Sequence, residues 1–166
     1  MKRPDDFNRW YDDHASSRAR FCFGLVGNRV EAEDLLQDVF LIALKGRQGF
    51  LHKSSVRTWL YRIAYYRSLE LRSKMARETE MPVDVSTPFS THDGRLALEQ
   101  AIAELPAKHK EAFLLVKVEE FTSREASKIL KIPEGTVKYH VFLAVQELRS
   151  KLSEMHNLQE ETPHAV

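Results

Sequence analysis

Thr122-Ser123-Arg124-Glu125 opens a short helical stretch that reaches Leu130, and Lys131-Ile132-Pro133-Glu134-Gly135 then breaks it. A Thr followed three residues later by Glu is a capping box, able to satisfy two helix-start N–H groups at once. Beyond the break, Val137, Val141, Ala144, Leu148 and Leu152 recur at threes and fours, which marks one face of a longer helix from about Gly135 to Glu154. A short helix, a break and a longer helix make a helix-turn-helix, whose second element enters the major groove when such a unit reads DNA. Helix pairs with similar turns also occur in plain bundles. The spacing alone therefore leaves a DNA reader and a packing module equally open.

The chain around this stretch reads as helical throughout. Leu105-Pro106 sets proline at the first position of a helix expected over Ala107 to Glu120. Nearer the start, Gly27 is a helix-ending glycine and Asn28-Arg29-Val30-Glu31 a capping box. One helix should stop near Val26 and the next run from about Arg29 to Lys45, with a third starting at Ser54 or Ser55. Sustained period-two alternation is almost absent, so the expected class is all-α. Residues 81 to 94 hold two prolines, four Ser or Thr and a glycine, the composition of a linker. The expected layout is a helical domain over 1–80, a flexible linker over 81–96, a helix-turn-helix domain over 97–154 and a polar tail over 155–166. Over about 15 residues a flexible linker spans roughly 20 Å on average and at most about 50 Å.

A chain of 166 residues with 43% apolar content supports one ordinary domain or two small ones and excludes a large multidomain enzyme. Its 25 basic and 24 acidic side chains exclude a histone-like polycation, so any nucleic-acid site must be local. The net charge is +4 over residues 1–80, −1 over 81–98 and −2 over 99–166. Cys22, the lone cysteine, sits in Phe21-Cys22-Phe23 and reads as a buried thiol. The seven histidines lack the spacing of zinc sites, so no metal or other cofactor is expected. The start of the chain lacks a signal-peptide core, and no stretch approaches 18 uncharged apolar residues. The reading is a soluble, cytoplasmic protein without membrane insertion.

Two further stretches carry more information: Ala32-Glu33-Asp34-Leu35-Leu36-Gln37-Asp38-Val39-Phe40-Leu41 and Val56-Arg57-Thr58-Trp59-Leu60-Tyr61-Arg62-Ile63-Ala64. Together with Ile132-Pro133-Glu134-Gly135-Thr136-Val137-Lys138, they resemble a bacterial sigma factor of the small extracytoplasmic-function (ECF) type in the sigma-70 family. The resemblance covers about residues 7 to 78, the family's region 2, and 97 to 152, its region 4. It implies a non-enzymatic subunit that binds core RNA polymerase, directs it to promoter DNA and helps open the duplex. Sequestration by an anti-sigma protein is common in that family, and no small-molecule substrate is implied.

On the Arg29 to Lys45 helix, Leu35, Leu36, Val39, Ile42 and Ala43 read as the buried stripe, with Asp34, Gln37, Asp38 and Leu41 largely on the other side. The resemblance assigns that second group to core polymerase. Two carboxylates and an amide suit charge-assisted hydrogen bonds to arginines, and Leu41 adds an apolar anchor. On the next helix Trp59, Leu60, Ile63, Ala64 and Leu71 read as one side, with Trp59 as core packing. Thr58, Tyr61, Arg62, Tyr65 and Arg72 form the other. Arg57 to Arg77 carries six basic residues, and cations interleaved with tyrosines suit single-stranded DNA, whose phosphates take the charge and whose bases take an aromatic platform. The resemblance assigns separated −10 bases to this helix, to Tyr66 where the family often has asparagine, and to Lys53, Ser54 and Ser55 in the preceding loop as a pocket for a flipped base. It assigns the −35 element to Thr136, Lys138, Tyr139, His140 and Phe142. Thr136 with the helix-start amides can hold a phosphate, and Phe142 can meet a thymine methyl.

This chain departs from the family pattern at Leu143 and Val145, where basic residues are frequent, and at Lys131, where a glycine commonly ends the bracing helix. The alternative readings are a helix-turn-helix regulator with a sensing domain, or a protein that mimics a sigma factor and titrates its partners. Gly-rich phosphate loops, Gly-x-Ser-x-Gly and His-Glu-x-x-His are absent from the sequence, which argues against an enzyme.

Overall fold

The computed structural model describes residue 9 and residues 11–50, 53–78 and 93–160, and all regular structure among them is helical. Most of the stretch expected as a linker, and the last six residues, lie outside that description. The chain divides into two compact units, Met1–Val83 and Asp84–Val166, each with its own core. No helix among the described residues is long and apolar enough to cross a membrane.

The first unit packs three helices pairwise: α1 (Ala15–Val26), α2 (Arg29–Gly46) and α3 (Val56–Glu78). Gly27 ends α1 at φ 84°, a conformation open to a residue without a Cβ, and its N–H donates to the Phe23 carbonyl at 2.8 Å. Asn28 then caps α2, its Oδ1 accepting from the Glu31 N–H at 2.9 Å. Ser55 caps α3 in the same manner, accepting from the Thr58 N–H at 3.0 Å. These caps stand where the sequence predicts helix boundaries. Between α2 and α3 a 3₁₀ turn, Arg47–Gly49, leads to Phe50, whose ring lies 4.8 Å from that of Trp59. A Cβ on Gly46 would sit 3.3 Å from Trp59 Cζ2, so the missing side chain lets the end of α2 approach the indole. Phe21, Cys22 and Leu25 from α1, Leu35, Val39 and Ala43 from α2, and Leu60, Tyr61 and Ala64 from α3 form the core.

The second unit holds α4 (Asp93–Ala103), α5 (Ala107–Phe113), α6 (Ser123–Leu130) and α7 (Glu134–Glu160). The expected helix over 107–120 keeps α geometry only to Phe113. Leu114–Val118 forms a widened π turn, closed by the Glu119 N–H on the Leu114 carbonyl at 2.9 Å. The Thr122 box is complete: its hydroxyl accepts from the Glu125 N–H at 3.1 Å, and the Glu125 carboxylate accepts from the Thr122 N–H at 2.9 Å. α7 meets α4, α5 and α6. Val137, Val141, Ala144 and Leu148 are buried along it, as the spacing predicts, and Leu152 is half-buried. α4 starts at Asp93, inside the stretch expected as linker, and α7 continues to Glu160, six residues beyond the predicted end.

Lys131 closes α6 at φ 52°, in the left-handed region where a Cβ is strained and glycine is not. Lys131→Gly therefore stabilises the second unit by about 0.5–1 kcal/mol, after allowance for the greater freedom of glycine in the unfolded chain. Urea unfolding of the two proteins should show a raised midpoint with an unchanged slope. An equal or lowered midpoint would contradict the assignment of strain.

Candidate functional site

Three outward faces collect the residues singled out in the sequence. On α2, Leu35, Val39 and Ala43 are fully buried, while Asp34 and Gln37 are exposed and Leu41 is 49% exposed. Ile42, expected in the buried stripe, is 41% exposed, because the arc shared with α1 and α3 is already filled by Leu35, Val39 and Ala43; Leu36 is half-buried. Asp38 is half-buried and already engaged. It accepts from Arg67 Nε on α3 at 2.8 Å, and Arg67 Nη1 binds Glu70 at 2.7 Å. These two hydrogen bonds, Glu70's first, push the Arg67 guanidinium further toward its charged form. Asp38 thus ties α2 to α3, leaving Asp34, Gln37 and Leu41 as the outward set. Beside them Tyr11, Ala15, Arg18, Leu36, Gln37, Phe40 and Leu41 line a mainly apolar groove of about 420 Å³. The Arg18 guanidinium lies 3.5 Å under the Tyr11 ring and donates to the Tyr11 carbonyl.

On α3 the buried arc is rotated from the expected one. Thr58 and Tyr61 are 2% and 1% exposed, and Tyr61 packs its ring 4.9 Å from that of Phe21. Neither can serve as a platform for a base, which corrects the reading of both as DNA contacts. The reason is that α3 must meet α1 as well as α2. The positions turned inward are Thr58, Leu60, Tyr61, Ala64 and Ser68, and the Ser68 hydroxyl is satisfied by donating to the Tyr65 carbonyl at 2.6 Å. Trp59 is half-buried against Phe50, as expected for packing, and Ile63 is half-buried. Arg62, Tyr65, Tyr66 and Arg72 are all half-buried, with Nε of both arginines out of solvent and the two tyrosine rings edge-to-face at 5.4 Å. Farther along, Tyr66, Leu69, Glu70, Ser73, Lys74 and Arg77 line a trough of about 400 Å³. At the start of the helix Lys53 and Ser55 are exposed and Ser54 half-buried. The Ser55 hydroxyl is committed to capping, since it also donates to Thr58 Oγ1 at 2.9 Å.

On α7 the residues opposite the buried seam are Lys138, Tyr139 and Phe142, with Tyr139 58% and Phe142 57% exposed. Thr136 is half-buried at the helix start. Lys138 Nζ lies 3.0 Å from Glu134 Oε1 one turn earlier. His140 turns aside, its ring 5.2 Å from that of His109 on α5.

Residues 10–78 match the family profile described as Sigma-70 region 2, and residues 95–148 that described as Sigma-70, region 4. The ECF RNA polymerase sigma factor SigL of Mycobacterium tuberculosis (strain ATCC 25618 / H37Rv) is 31% identical over 155 residues, a span covering 87% of this chain and 88% of the relative. This chain belongs to the ECF sigma factors. SigW of Bacillus subtilis (strain 168), another ECF RNA polymerase sigma factor, is 27% identical over 173 residues, 91% of each chain. Among solved structures, the sigma factor RpoE from Bartonella quintana in complex with the anti-sigma factor NepR aligns at a TM-score of 0.80 over 89% of this chain and 97% of that one. CnrH in complex with the cytosolic domain of CnrY aligns at 0.67 over 94% and 90%. At 24% and 18% identity these two likenesses are ones of fold.

As an ECF sigma factor the protein acts in promoter-directed transcription initiation, in a family of regulatory, non-catalytic factors. The reading of its sequence placed Ile42 in the buried stripe and gave Arg67 and His109 no partner. Ile42, Arg67 and His109 gain significance only from neighbours distant along the chain, and periodicity within one helix carries no signal for that.

His140 also gives the sigma factor a pH dependence. Partial burial holds its pKa below the ordinary 6.5, helped by His109 and Lys108 and opposed by Glu111. The Nδ1 atoms of both histidines are buried without a hydrogen-bond partner, and the nearest carboxylate to His109 is Glu147 at 4.0 Å. A lowered folded pKa means that the unfolded chain takes up the proton first. This contribution to stability is intact above about pH 6.5 and is lost as pH falls from there through the lower folded value. His140→Gln should therefore shrink the drop in urea midpoint between pH 7.5 and 5.5. An undiminished drop would contradict the role given to the imidazole.

Proposed function

We propose that the α2 face made by Asp34, Gln37 and Leu41, extended by Ile42, is the surface that docks on core RNA polymerase. Asp38 serves it from below by holding α3 in register through Arg67. The observation that carries this reading is the exposure of two large aliphatic side chains, Leu41 and Ile42, on a helix whose other face is fully buried. Exposed aliphatic groups flanked by a carboxylate and an amide have the anatomy of an interface core with a polar rim. Arg62, Tyr65, Tyr66 and Arg72, with Lys53 and Ser54 beside them, receive the unpaired −10 strand. Thr136, Lys138, Tyr139 and Phe142 meet the −35 duplex. Both sites act where polymerase and promoter are, in the cytoplasm, and neither role calls for a cofactor.

Magnitudes decide how much of the opening belongs to this chain. Unstacking one base-pair step costs about 1.4 kcal/mol, and a base held on an aromatic platform returns roughly 1–3 kcal/mol. With Tyr61 buried, Tyr65 and Tyr66 are the rings left for this task on α3. One or two captured bases cannot hold a bubble of many steps, so the polymerase supplies the remainder.

The groove lined by Leu36, Phe40 and Leu41 adjoins the proposed polymerase face. An anti-sigma protein seated there would block polymerase by covering shared residues. Support for such a partner comes from RpoE with NepR and CnrH with CnrY, each solved as a complex.

Leu41→Glu should weaken association with core polymerase by tenfold or more, the loss expected when an interface anchor becomes a charge. Helical circular dichroism should stay unchanged, because the position is open to solvent. Undiminished association would remove the α2 face from the proposal. Permanganate footprinting of promoter DNA is expected to show reactive thymines with the assembled holoenzyme and none with the chain alone. Thymines opened by the chain alone would contradict the division of labour.

A further inference from the structure

The outward side of α7 carries an unusual set of chemistries for reading base edges, and what it lacks is as informative as what it holds. The buried seam Val137, Val141, Ala144 fixes which side of the helix is free, and that side presents Lys138, Tyr139 and Phe142 over its first turns. Guanine is read by a bidentate Arg or by Lys, adenine by Asn or Gln, cytosine by a carboxylate and thymine by apolar contact with its methyl group. Residues 134–142 contain no Arg, Asn or Gln. The sole lysine and the sole carboxylate among them, Lys138 and Glu134, lie 3.0 Å apart on the exposed surface, so reading guanine or cytosine with either means parting an ion pair. Beside this pair stand two aromatic rings, Tyr139 and Phe142, three residues apart on one face and each more than half exposed.

We propose that this sigma factor reads its upstream promoter element through thymine methyl groups, with Tyr139 and Phe142 as the contacting residues, so that its ligand there is an A·T-rich stretch of major groove. The inference rests on the assignment of α7 to the −35 element made above and adds the base class that the helix selects. Exposed rings are poorly placed in water and gain by covering apolar surface. Each methyl removed from water against a ring is worth about fourfold in affinity. Two to three such contacts amount to between one and two orders of magnitude of selectivity, obtained without a cation.

The test uses the full chain assembled with core polymerase and a promoter library randomised in its upstream and downstream windows. Transcribed members are sequenced. One selected promoter is then synthesised with deoxyuridine, which lacks only the methyl, confined to the upstream window. The upstream windows are expected to be enriched in thymine, and the uracil promoter to initiate at least tenfold less. The variant Y139A/F142A should lose a comparable factor on the thymine promoter and most of its sensitivity to uracil, while retaining helical content and association with core. Enrichment of G·C pairs, full activity of the uracil promoter, or equal uracil sensitivity in the variant would each overturn the proposal with the sigma reading intact. If no library member is transcribed and the chain does not associate with core, the failure lies in the functional reading itself, and the inference goes with it.

Discussion

Each unit of this protein is so small that a helix buries fully only the arc turned to its neighbours, and the residues outside that arc stay wholly or partly open to solvent. That constraint governs the rest of the structure. Val137, Val141, Ala144 and Leu148 hold α7 against its neighbours and so turn Lys138, Tyr139 and Phe142 outward. Leu35, Val39 and Ala43 do the same for α2, leaving Asp34, Gln37 and Leu41 on the open side. The faces assigned to polymerase and to DNA are thus complements of the packing. A substitution within a stripe acts on function by rotating or loosening the helix that presents the face.

Much of this was legible in the sequence where local chemistry decides the outcome. Gly27 and Asn28 announce a helix end and the next start by their backbone and capping chemistry, and Thr122 with Glu125 announces another. The seam of α7 is visible because its apolar residues are regularly spaced and its other face is mixed. Reading fails where tertiary contacts choose between two acceptable arcs. α3 carries aromatic, aliphatic and cationic residues all round, so periodicity could not tell that Tyr61 and Thr58 turn inward. The Phe21 ring, forty residues earlier, makes that choice. Ile42 has the spacing of a core residue and is left outside because the arc beside it is already filled. The π turn at Leu114–Val118 inserts a register shift that helical spacing does not announce.

One internal tie joins two of the proposed roles. Asp38 sits on the helix that carries the polymerase face, and Arg67 on the helix that carries the single-strand face. Their hydrogen bond at 2.8 Å, completed by Glu70, links the two helices at the edge of the core that orients them. Partly exposed ion pairs add little stability, commonly under about 1 kcal/mol.

In the proposed function the protein is a specificity subunit whose separate contacts are weak and which becomes effective on joining a larger machine, where binding at one unit makes the second contact intramolecular. The most direct test is run-off transcription from fragmented genomic DNA, using core polymerase stripped of its specificity subunit. With the purified chain added, discrete transcripts should start at a limited set of sites that core polymerase alone ignores. Core polymerase that neither retains the chain nor gains any new start site would contradict it.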